Sequence, residues 1–280
     1  MARKLLAGKA ALVIGGSGGI GQAVAVQLAT QGSAVCIAGR SRRNDVSAAL
    51  DTLHEAGHGE IKGLCCNIED HAAVRRMIQQ AVKLLGGLDI LVNAAGIQAP
   101  IGEFSSNSME EWEHNLRINL FGTVYSCKAA LPYLIERGSG SIINFSGGGA
   151  TSSRTHFSAY AVAKTGIVRF TEILAEELRD RKIRVNAIAP GAVNTRMLNE
   201  VLLLGSQAGD KELREAKRRA MEGGVPPKLA ADLVVFLASK RSMGLTGKLI
   251  SAVWDPWKTW DKAVIEQIMA SDKYNLRRVS

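Results

Sequence analysis

A tyrosine and a lysine four positions apart are the first residues in this sequence that could do chemistry together. Tyr160 and Lys164 lie in the stretch 157–180, which is predicted to be helical, so their side chains project from one face. A phenol with an ordinary pKa of about 10 is a poor acid or base at neutral pH, and a neighbouring ammonium lowers that pKa by favouring the phenolate. The pair predicts proton transfer at one site, although an exposed helix face can carry the same two residues.

A glycine-rich turn near the N-terminus is suited to binding a phosphate group. Gly15, Gly19 and Gly21 lie between a predicted strand at 10–14 and a predicted helix at 19–31. Glycines let the backbone turn tightly and approach a pyrophosphate, while the helix N-terminus presents unpaired N–H groups to the negative charge. Because the turn joins a strand to a helix, we favour a dinucleotide site over an ordinary loop.

The elements that must position these residues alternate along the chain. Short runs rich in Val and Ile predict strands, and longer amphipathic segments predict helices, which is typical of βαβ units around a parallel sheet. The predicted strands are 10–14, 34–38, 60–65, 88–92, 141–145, 183–188 and 248–253. The predicted helices are 19–31, 42–56, 70–86, 107–119, 121–136, 157–180 and 226–239. We therefore expect an α/β fold: a three-layer, Rossmann-like, doubly wound sheet of seven mainly parallel strands with helices on both faces.

Two segments depart from this alternation. Residues 191–225 contain a charged helical stretch at 210–222 and are predicted to form a mobile lid over the substrate. Residues 254–280 form a tail with a predicted helix at 261–270. We expect a single domain over 1–253, with the tail packing on that domain or at a subunit interface. The tail carries three tryptophans, which suit a subunit contact or a wall that stacks on a sugar or nucleotide ring: Trp254, Trp257 and Trp260.

Composition excludes several classes of function. Of the 280 residues, 46% are hydrophobic and 22% are charged, which is typical of a soluble globular protein, and no apolar run is long enough to span a membrane. The net charge is +9, but Lys and Arg are spread along the chain, which argues against a nucleic-acid partner. The four cysteines have neither zinc-site nor disulfide-framework spacing, so we expect no metal and a cytoplasmic location.

Four motifs together resemble the classical short-chain dehydrogenase/reductase family, in particular 3-oxoacyl-carrier-protein reductase-like members. They are the glycine turn, Asn93-Ala94-Ala95-Gly96, Tyr160-x-x-x-Lys164 and Pro190-Gly191, and their order spans about residues 8–253. One departure is Ile14, where the family usually has a Thr that fastens the glycine turn. The resemblance implies an NAD(P)-dependent oxidoreductase that reduces a ketone or oxidises a secondary alcohol, as a homodimer or homotetramer. The positive charge suggests a polar, anionic or sugar-like substrate.

The resemblance also assigns the catalytic roles. Tyr160 would exchange a proton with the substrate oxygen, Lys164 would also hold the nicotinamide ribose, and Asn119 would hold a water of the proton relay. An Asn at that position also predicts a local interruption of its helix, because its side chain competes for backbone hydrogen bonds.

The catalytic serine of the family has no direct counterpart. Its position, thirteen residues before the tyrosine, is Gly147, and the hydroxyl of Ser146 lies one residue earlier, on the other face of a strand. Either the following glycine turn brings Ser146 to the substrate, or Ser152, Ser153 or His156 replaces it, or the donor is missing. The last alternative would suit a weakened NAD(P)-binding regulatory or scaffold protein. Gly147 and His156 are also candidate substrate contacts.

The cofactor residues follow from the same resemblance. The second strand is followed by Arg40, Ser41 and Arg43 rather than by an acidic residue, which favours NADP over NAD, although these residues would also suit the solvated start of a helix. Asn93 is either a ligand or structural. The predicted contacts are Gly15, Ser17, Gly18, Gly19, Ile20, Gly21, Arg40, Ser41, Arg43, Asn67, Ile68, Asn93, Ala94, Gly96, Tyr160, Lys164, Pro190, Gly191, Val193, Asn194 and Thr195.

Overall fold

Seven strands form one sheet in the order β3-β2-β1-β4-β5-β6-β7. The computed structural model describes residues 4–40, 43–55 and 61–278. The strands are β1 Ala10–Ile14, β2 Ala34–Gly39, β3 Ile61–Cys65, β4 Ile90–Asn93, β5 Gly140–Phe145, β6 Ile183–Ala189 and β7 Leu249–Ser251. All six pairings between them are parallel. The predicted α/β fold is therefore confirmed.

Helices connect the strands and cover both faces of the sheet. They are α1 Gly19–Thr30, α2 Arg43–Glu55, α3 His71–Leu85, α4 Met109–Leu116, α5 Gly122–Glu136, α6 Ser158–Glu177, α7 Arg196–Leu204, α8 Asp210–Glu222, α9 Pro227–Ala238 and α10 Lys262–Met269. The segment 191–225 contains two helices rather than the single charged helix predicted. In the described ranges, no helix combines the length and apolar composition needed to cross a bilayer.

The core consists of two apolar layers, one on each face of the sheet. Successive side chains of a strand point to opposite faces, so Ala11 and Val13 of β1 pack with α1 and α9, while Leu12 and Ile14 pack with α3 and α5. Because both faces are buried, these strands are continuous apolar runs rather than alternating ones. This packing holds the strand ends rigidly with respect to one another.

The order of strands across the sheet reverses between β1 and β4, and this switch point positions the glycine turn. β1 pairs with β2 on one side and with β4 on the other, and the registers place Ile14 beside Ala38 and beside Asn93. The glycine turn that follows β1 therefore lies next to the segment that follows β4. Doubly wound sheets bind ligands in the crevice that opens at such a switch point.

Two of the three tail tryptophans are buried within the chain. Trp257 and Trp260 contact Phe236 of α9, with ring centroids 5.7 Å and 6.3 Å apart, and both are nearly inaccessible. Farther along the tail, the Leu249 N–H of β7 donates to the Tyr274 carbonyl oxygen at 2.8 Å. Only Trp254, 84% exposed, is available to the stacking or subunit-contact roles considered for these residues.

Candidate active site

A cleft of about 940 Å³ lies at the carboxyl ends of β1, β2 and β4. It is lined by the glycine turn, the end of β2, the segments after β3 and β4, and the start of α7. The predicted cofactor contacts that line it are Gly15, Ser17, Gly18, Gly19, Ile20, Gly21, Arg40, Asn67, Ile68, Ala94, Gly96 and Thr195. The structure thus gathers most of the predicted set around one cavity.

The glycine turn has the features that a diphosphate requires. Gly15 has a φ of +84°, and a Cβ there would lie only 2.5 Å from the Ala95 backbone nitrogen, so a side chain would displace the turn. Helix α1 begins after Gly18 with no side-chain cap and no acidic residue in its first turn. Its first N–H groups are therefore oriented for an anion, as a dinucleotide diphosphate requires. The residues present fit a nicotinamide dinucleotide.

Several predicted cofactor contacts do not line this cleft. Asn93 is buried, and its Nδ2 donates to Asn144 Oδ1 at 2.9 Å, which joins β4 to β5 beneath the cavity. Ser41 lies outside the described residues, as does the side chain of Arg43. The others that are not part of the lining are Tyr160, Lys164, Pro190, Gly191, Val193 and Asn194.

The end of β2 has no space for a side chain at position 39. A Cβ at Gly39 would lie 2.7 Å from Ser17 Oγ and 2.9 Å from Val46 Cγ2. The carboxylate that would accept hydrogen bonds from an adenosine ribose is thus absent from this position, and it would not fit without movement of the glycine turn. Arg40, the next residue, is exposed and lines the cleft.

Tyr160 and Lys164 lie on the buried face of α6, beside the inner end of the cleft. Lys164 Nζ donates to the Phe145 carbonyl oxygen at 3.0 Å and lies 5.4 Å from the centroid of the Tyr160 ring. A methyl group at Gly96, which lines the cleft, would lie 3.4 Å from Lys164 Nζ and 2.5 Å from Asn119 Oδ1. The lysine and Asn119 therefore converge behind the same cofactor-cleft residue.

Burial changes the acid strength of both groups on α6. The pKa of Lys164 is lowered to about 8 because its ammonium is desolvated. Burial also raises the pKa of Tyr160, which is opposite to the lowering expected from a neighbouring ammonium. The positive charge of Arg154 partly offsets this effect of burial on the Tyr160 pKa.

Asn119 lies in a π-helical turn, Arg117–Phe121, which is the helix interruption that an Asn at this position predicts. Its Nδ2 donates to the Ile97 carbonyl oxygen at 2.9 Å and to Asn115 Oδ1 at 2.7 Å, and its Oδ1 accepts from the Ile97 N–H at 3.2 Å. The side chain is thus hydrogen-bonded to the backbone of the segment that follows β4. Both Nδ2 hydrogens are used in these bonds, so a relay water at this side chain would have to donate to the second lone pair of Oδ1.

The hydroxyl of Ser146 faces α6 rather than the cleft. It donates to the Lys164 carbonyl oxygen at 3.3 Å and is buried, and no hydrogen bond joins it to Tyr160 in the described part of the chain. At Gly147, a Cβ would lie 2.5 Å from Tyr160 Oη. The tyrosine hydroxyl therefore occupies the space beside Gly147 in which the family's serine side chain would begin.

The other candidate donors lie between the site and the lid. Ser152 and Ser153 are exposed. His156 has a φ of +68°, its Nδ1 is buried without a hydrogen-bond partner among the described residues, and its ring packs against Gly209 at the start of α8. A buried ring nitrogen without a hydrogen bond destabilises the fold. Among the candidate replacements for the serine, His156 therefore has a polar atom that could bind a substrate group.

Sequence reasoning missed Asn115, which is fully buried in the same region. Its Nδ2 donates to the Ala99 carbonyl oxygen at 2.6 Å, and its Oδ1 accepts from Asn119. The two asparagines together bind the segment after β4 to α4. Their spacing of four positions, which places both on one helix face, is the signal that would have identified Asn115.

The predicted lid, residues 191–225, packs apolar side chains against Tyr160. Leu198 and Val201 of α7 and Ala216 of α8 form one buried cluster with Tyr160 and Phe157. At the other end of the lid, Thr195 caps α7, and its methyl group would lie 3.3 Å from a Cβ at Gly19. The segment therefore packs against both the glycine turn and the tyrosine, which is the placement that the predicted lid would need.

Comparisons with known proteins agree with this geometry. The family described as short chain dehydrogenase matches residues 9–203. Dehydrogenase/reductase SDR family member 4 of Homo sapiens is 34% identical over 89% of this chain and 87% of its own length. The crystal structure of NAD⁺-bound xylitol dehydrogenase has a TM-score of 0.80 at 27% identity, over 88% of this chain and 98% of that chain.

A second solved structure contains the other nicotinamide cofactor. A variant of the actinorhodin polyketide ketoreductase with NADPH has a TM-score of 0.80 at 28% identity, over 90% of this chain and 98% of that chain. The family match, the relatives and the fitted cleft lead to one conclusion. This chain belongs to the short-chain dehydrogenase/reductase family of NAD(P)-dependent oxidoreductases.

Proposed function

We propose that this protein is an NADP-dependent oxidoreductase that reduces a ketone, or oxidises a secondary alcohol, with Tyr160 as general acid and base and Lys164 assisting. The observation that carries the proposal is the position of the two buried side chains of α6. Lys164 lies behind Gly96, at the inner end of a cleft that fits a dinucleotide, and the hydroxyl of Tyr160 lies beside Gly147. Family membership supports the reaction class.

The proposed roles follow the shape of the cleft. The glycine turn would hold the diphosphate, Asn67 and Ile68 would contact the adenine, and Lys164 would hold the nicotinamide ribose. A bound nicotinamide nucleotide supplies or accepts the hydride. Tyr160 donates its hydroxyl proton to the ketone oxygen during reduction and takes it back during oxidation.

The hydroxyl that donates to the substrate oxygen would be that of Tyr160 rather than that of Ser146. The Ser146 hydroxyl donates to the backbone of α6, and Gly147 leaves room only for the tyrosine hydroxyl. Without the serine, one preorganised donor to the substrate oxygen is lost, which costs about 3–4 kcal/mol in comparable enzymes and leaves catalysis weakened but present.

A polar substrate is proposed for three reasons. The chain carries a net charge of +9, and the buried Nδ1 of His156, four residues before Tyr160, has no hydrogen-bond partner among the described residues. One solved relative is a xylitol dehydrogenase, which is named for a polyol. Ketones that bear hydroxyl or phosphate groups are therefore the first class to test.

Turnover is tested by following NADPH absorbance with a panel of ketones: hydroxyketones, ketose phosphates, a β-keto thioester and simple aliphatic ketones. The corresponding alcohols are tested with NADP⁺. We expect turnover that is fastest with the polar members. Binding of NADPH without turnover of any member would contradict the proposal.

Replacing Arg40 with Ala should weaken NADPH selectively. A charge-assisted hydrogen bond contributes about 1.5–3 kcal/mol, so we expect the KM for NADPH to rise about 10- to 100-fold while the KM for NADH changes little. The measurement is the ratio of kcat/KM for the two cofactors. Lys62→Ala on the edge strand β3 is the control for loss of one positive charge. A wild-type preference for NADH, or an unchanged ratio in Arg40→Ala, would overturn the NADP assignment.

A further inference from the structure

Arg154 places a positive charge beside the tyrosine, although it lies in a loop that no motif identifies. Its Cζ lies 3.7 Å from the ring centroid of Phe157 and 5.8 Å from that of Tyr160. A methyl group at Gly149 would lie 3.4 Å from the Cβ of Arg154, and one at Gly148 would lie 3.8 Å from its Cδ. The aliphatic part of the Arg154 side chain therefore packs on the glycine segment in which the family's serine hydroxyl is missing, and its guanidinium lies over the Phe157 ring.

The lid holds this guanidinium in place. Nε and Nη2 of Arg154 donate to the two carboxylate oxygens of Glu212 on α8, each at 2.8 Å, and Nη1 donates to Gln98 Oε1 at 3.2 Å. Gln98 Nε2 in turn donates to the Met197 carbonyl oxygen of α7 at 2.8 Å. Both ends of this network belong to lid helices, and a paired, forked geometry of this kind is rigid.

Two cations lie near the Tyr160 ring: Lys164, whose Nζ is 5.4 Å from the ring centroid, and Arg154, whose Cζ is 5.8 Å from it. Lys164 directs its Nζ to the Phe145 carbonyl oxygen, and α4 meets α6 through Trp112, whose Nε1 donates to Ser158. The loop, α6 and the lid helices contribute several charged or titratable groups to this region: Arg154, His156, Lys164, Glu200, Glu212 and Arg219. Glu200 pairs with Arg196 at 3.2 Å, whereas Glu212 pairs with Arg154 itself.

We propose that Arg154 is a positioning residue that stabilises the Tyr160 phenolate by its charge, and that Glu212 of the lid tempers that charge, so that the lid helix and the acid strength of the catalytic tyrosine are coupled. This inference deepens the proposed function and rests on it for the role of Tyr160. The direction agrees with Arg154 lowering the pKa of Tyr160 against the larger, opposing effect of burial.

The test uses two substitutions that should act in opposite directions. Arg154→Gln removes the cation, so the pKa of Tyr160 should rise. Glu212→Gln leaves the cation uncompensated, so the same pKa should fall. Opposite charges a few ångströms apart shift a pKa by about one unit or more, and the partial exposure of this pair reduces that, so we expect shifts of about half a unit to one unit. The measurement is the inflection of log kcat/KM against pH for alcohol oxidation.

Two further variants complete the series. Arg154→Lys keeps the charge and should recover most of the shift. Glu215→Gln removes a carboxylate from the same lid helix that pairs with Arg218 rather than with Arg154, so it should leave the inflection unchanged. Thermal unfolding of each variant reports whether the fold is retained. A purely structural clamp would make Arg154→Gln and Glu212→Gln lose activity together with no displacement of the inflection, and that result would overturn the proposal.

A second readout does not depend on turnover. The tyrosinate absorbance of the full chain is titrated with alkali, and the same titration of Tyr160→Phe is subtracted to isolate the Tyr160 phenol. We expect the isolated titration to move up in Arg154→Gln and down in Glu212→Gln. Movement in this titration without any oxidoreductase activity would leave the charge coupling standing and reject the proposed function. Equal titrations in all variants would reject the coupling alone.

Discussion

Replacing Tyr160 with Phe should lower kcat/KM for ketone reduction about 10²- to 10⁴-fold, because proton transfer by a positioned side chain contributes that much to catalysis. The phenyl ring retains the packing against Phe157, Leu198 and Val201, so the fold and the lid should persist. Only the hydroxyl at the end of the ring is lost. The measurement is steady-state turnover of the best ketone with NADPH, together with the dissociation constant for NADPH from fluorescence titration.

Nucleotide binding separates a chemical defect from a structural one. Tyr160 does not line the cofactor cleft, so Tyr160→Phe should bind NADPH nearly as the unmodified chain does. Tyr133→Phe on α5 is the matched control, because Tyr133 packs against the core layer that does not contain Tyr160 and does not line the cleft. Turnover by Tyr160→Phe equal to that of Tyr133→Phe would contradict the assignment of the general acid.

Replacing Gly147 with Ala should lower kcat about 10²-fold, because misplacing a reacting group by about 1 Å has a cost of that size. The added Cβ would lie 2.5 Å from Tyr160 Oη, well inside van der Waals contact, so the tyrosine hydroxyl must move. Gly148→Ala is a close control. A Cβ at Gly148 would contact only Arg154 Cδ among the described atoms, at 3.8 Å. The Gly148→Ala substitution should therefore leave kcat nearly unchanged.

Gly147→Ser distinguishes two views of the missing serine. If the position were merely vacant, a serine there would restore the family's donor and raise kcat. The structure predicts a loss instead, because the serine Cβ meets the tyrosine hydroxyl as the alanine Cβ does. A rise in kcat for Gly147→Ser would show that the site can relax to accommodate both hydroxyls, and the expected loss would be wrong.

The fold was predictable because its signals are local. Most predicted strands are apolar runs whose residues are buried on both faces, although β3 contains Lys62 and ends at an exposed Cys65. The structure confirms all seven strands within a few residues. The glycine turn was predictable for the same reason, since its strand, its glycines and its helix follow one another directly. The helix boundary near Asn119 was less accurate, because a π-helical turn joins α4 and α5 where only an interruption was expected.

The candidate site was predictable only where its members are close in sequence. Tyr160 and Lys164 share a helix face, so their spacing brings them together. Arg154 and Glu212 are 58 positions apart, and Gly147 meets Tyr160 only because β5 and α6 pack side by side. Side chains that meet across separate elements leave no periodic pattern in the chain.

The order of apolar runs and glycines by itself determined that this protein would build a parallel sheet with a dinucleotide turn at its carboxyl edge. The tertiary structure alone decided how burial and neighbouring charge act on the tyrosine. Burial desolvates the phenol and raises its pKa, and the charge of Arg154, which is distant from the motif, partly opposes that rise. The physical reason is that electrostatic energies depend on distance and solvent access, which packing sets and residue spacing does not encode.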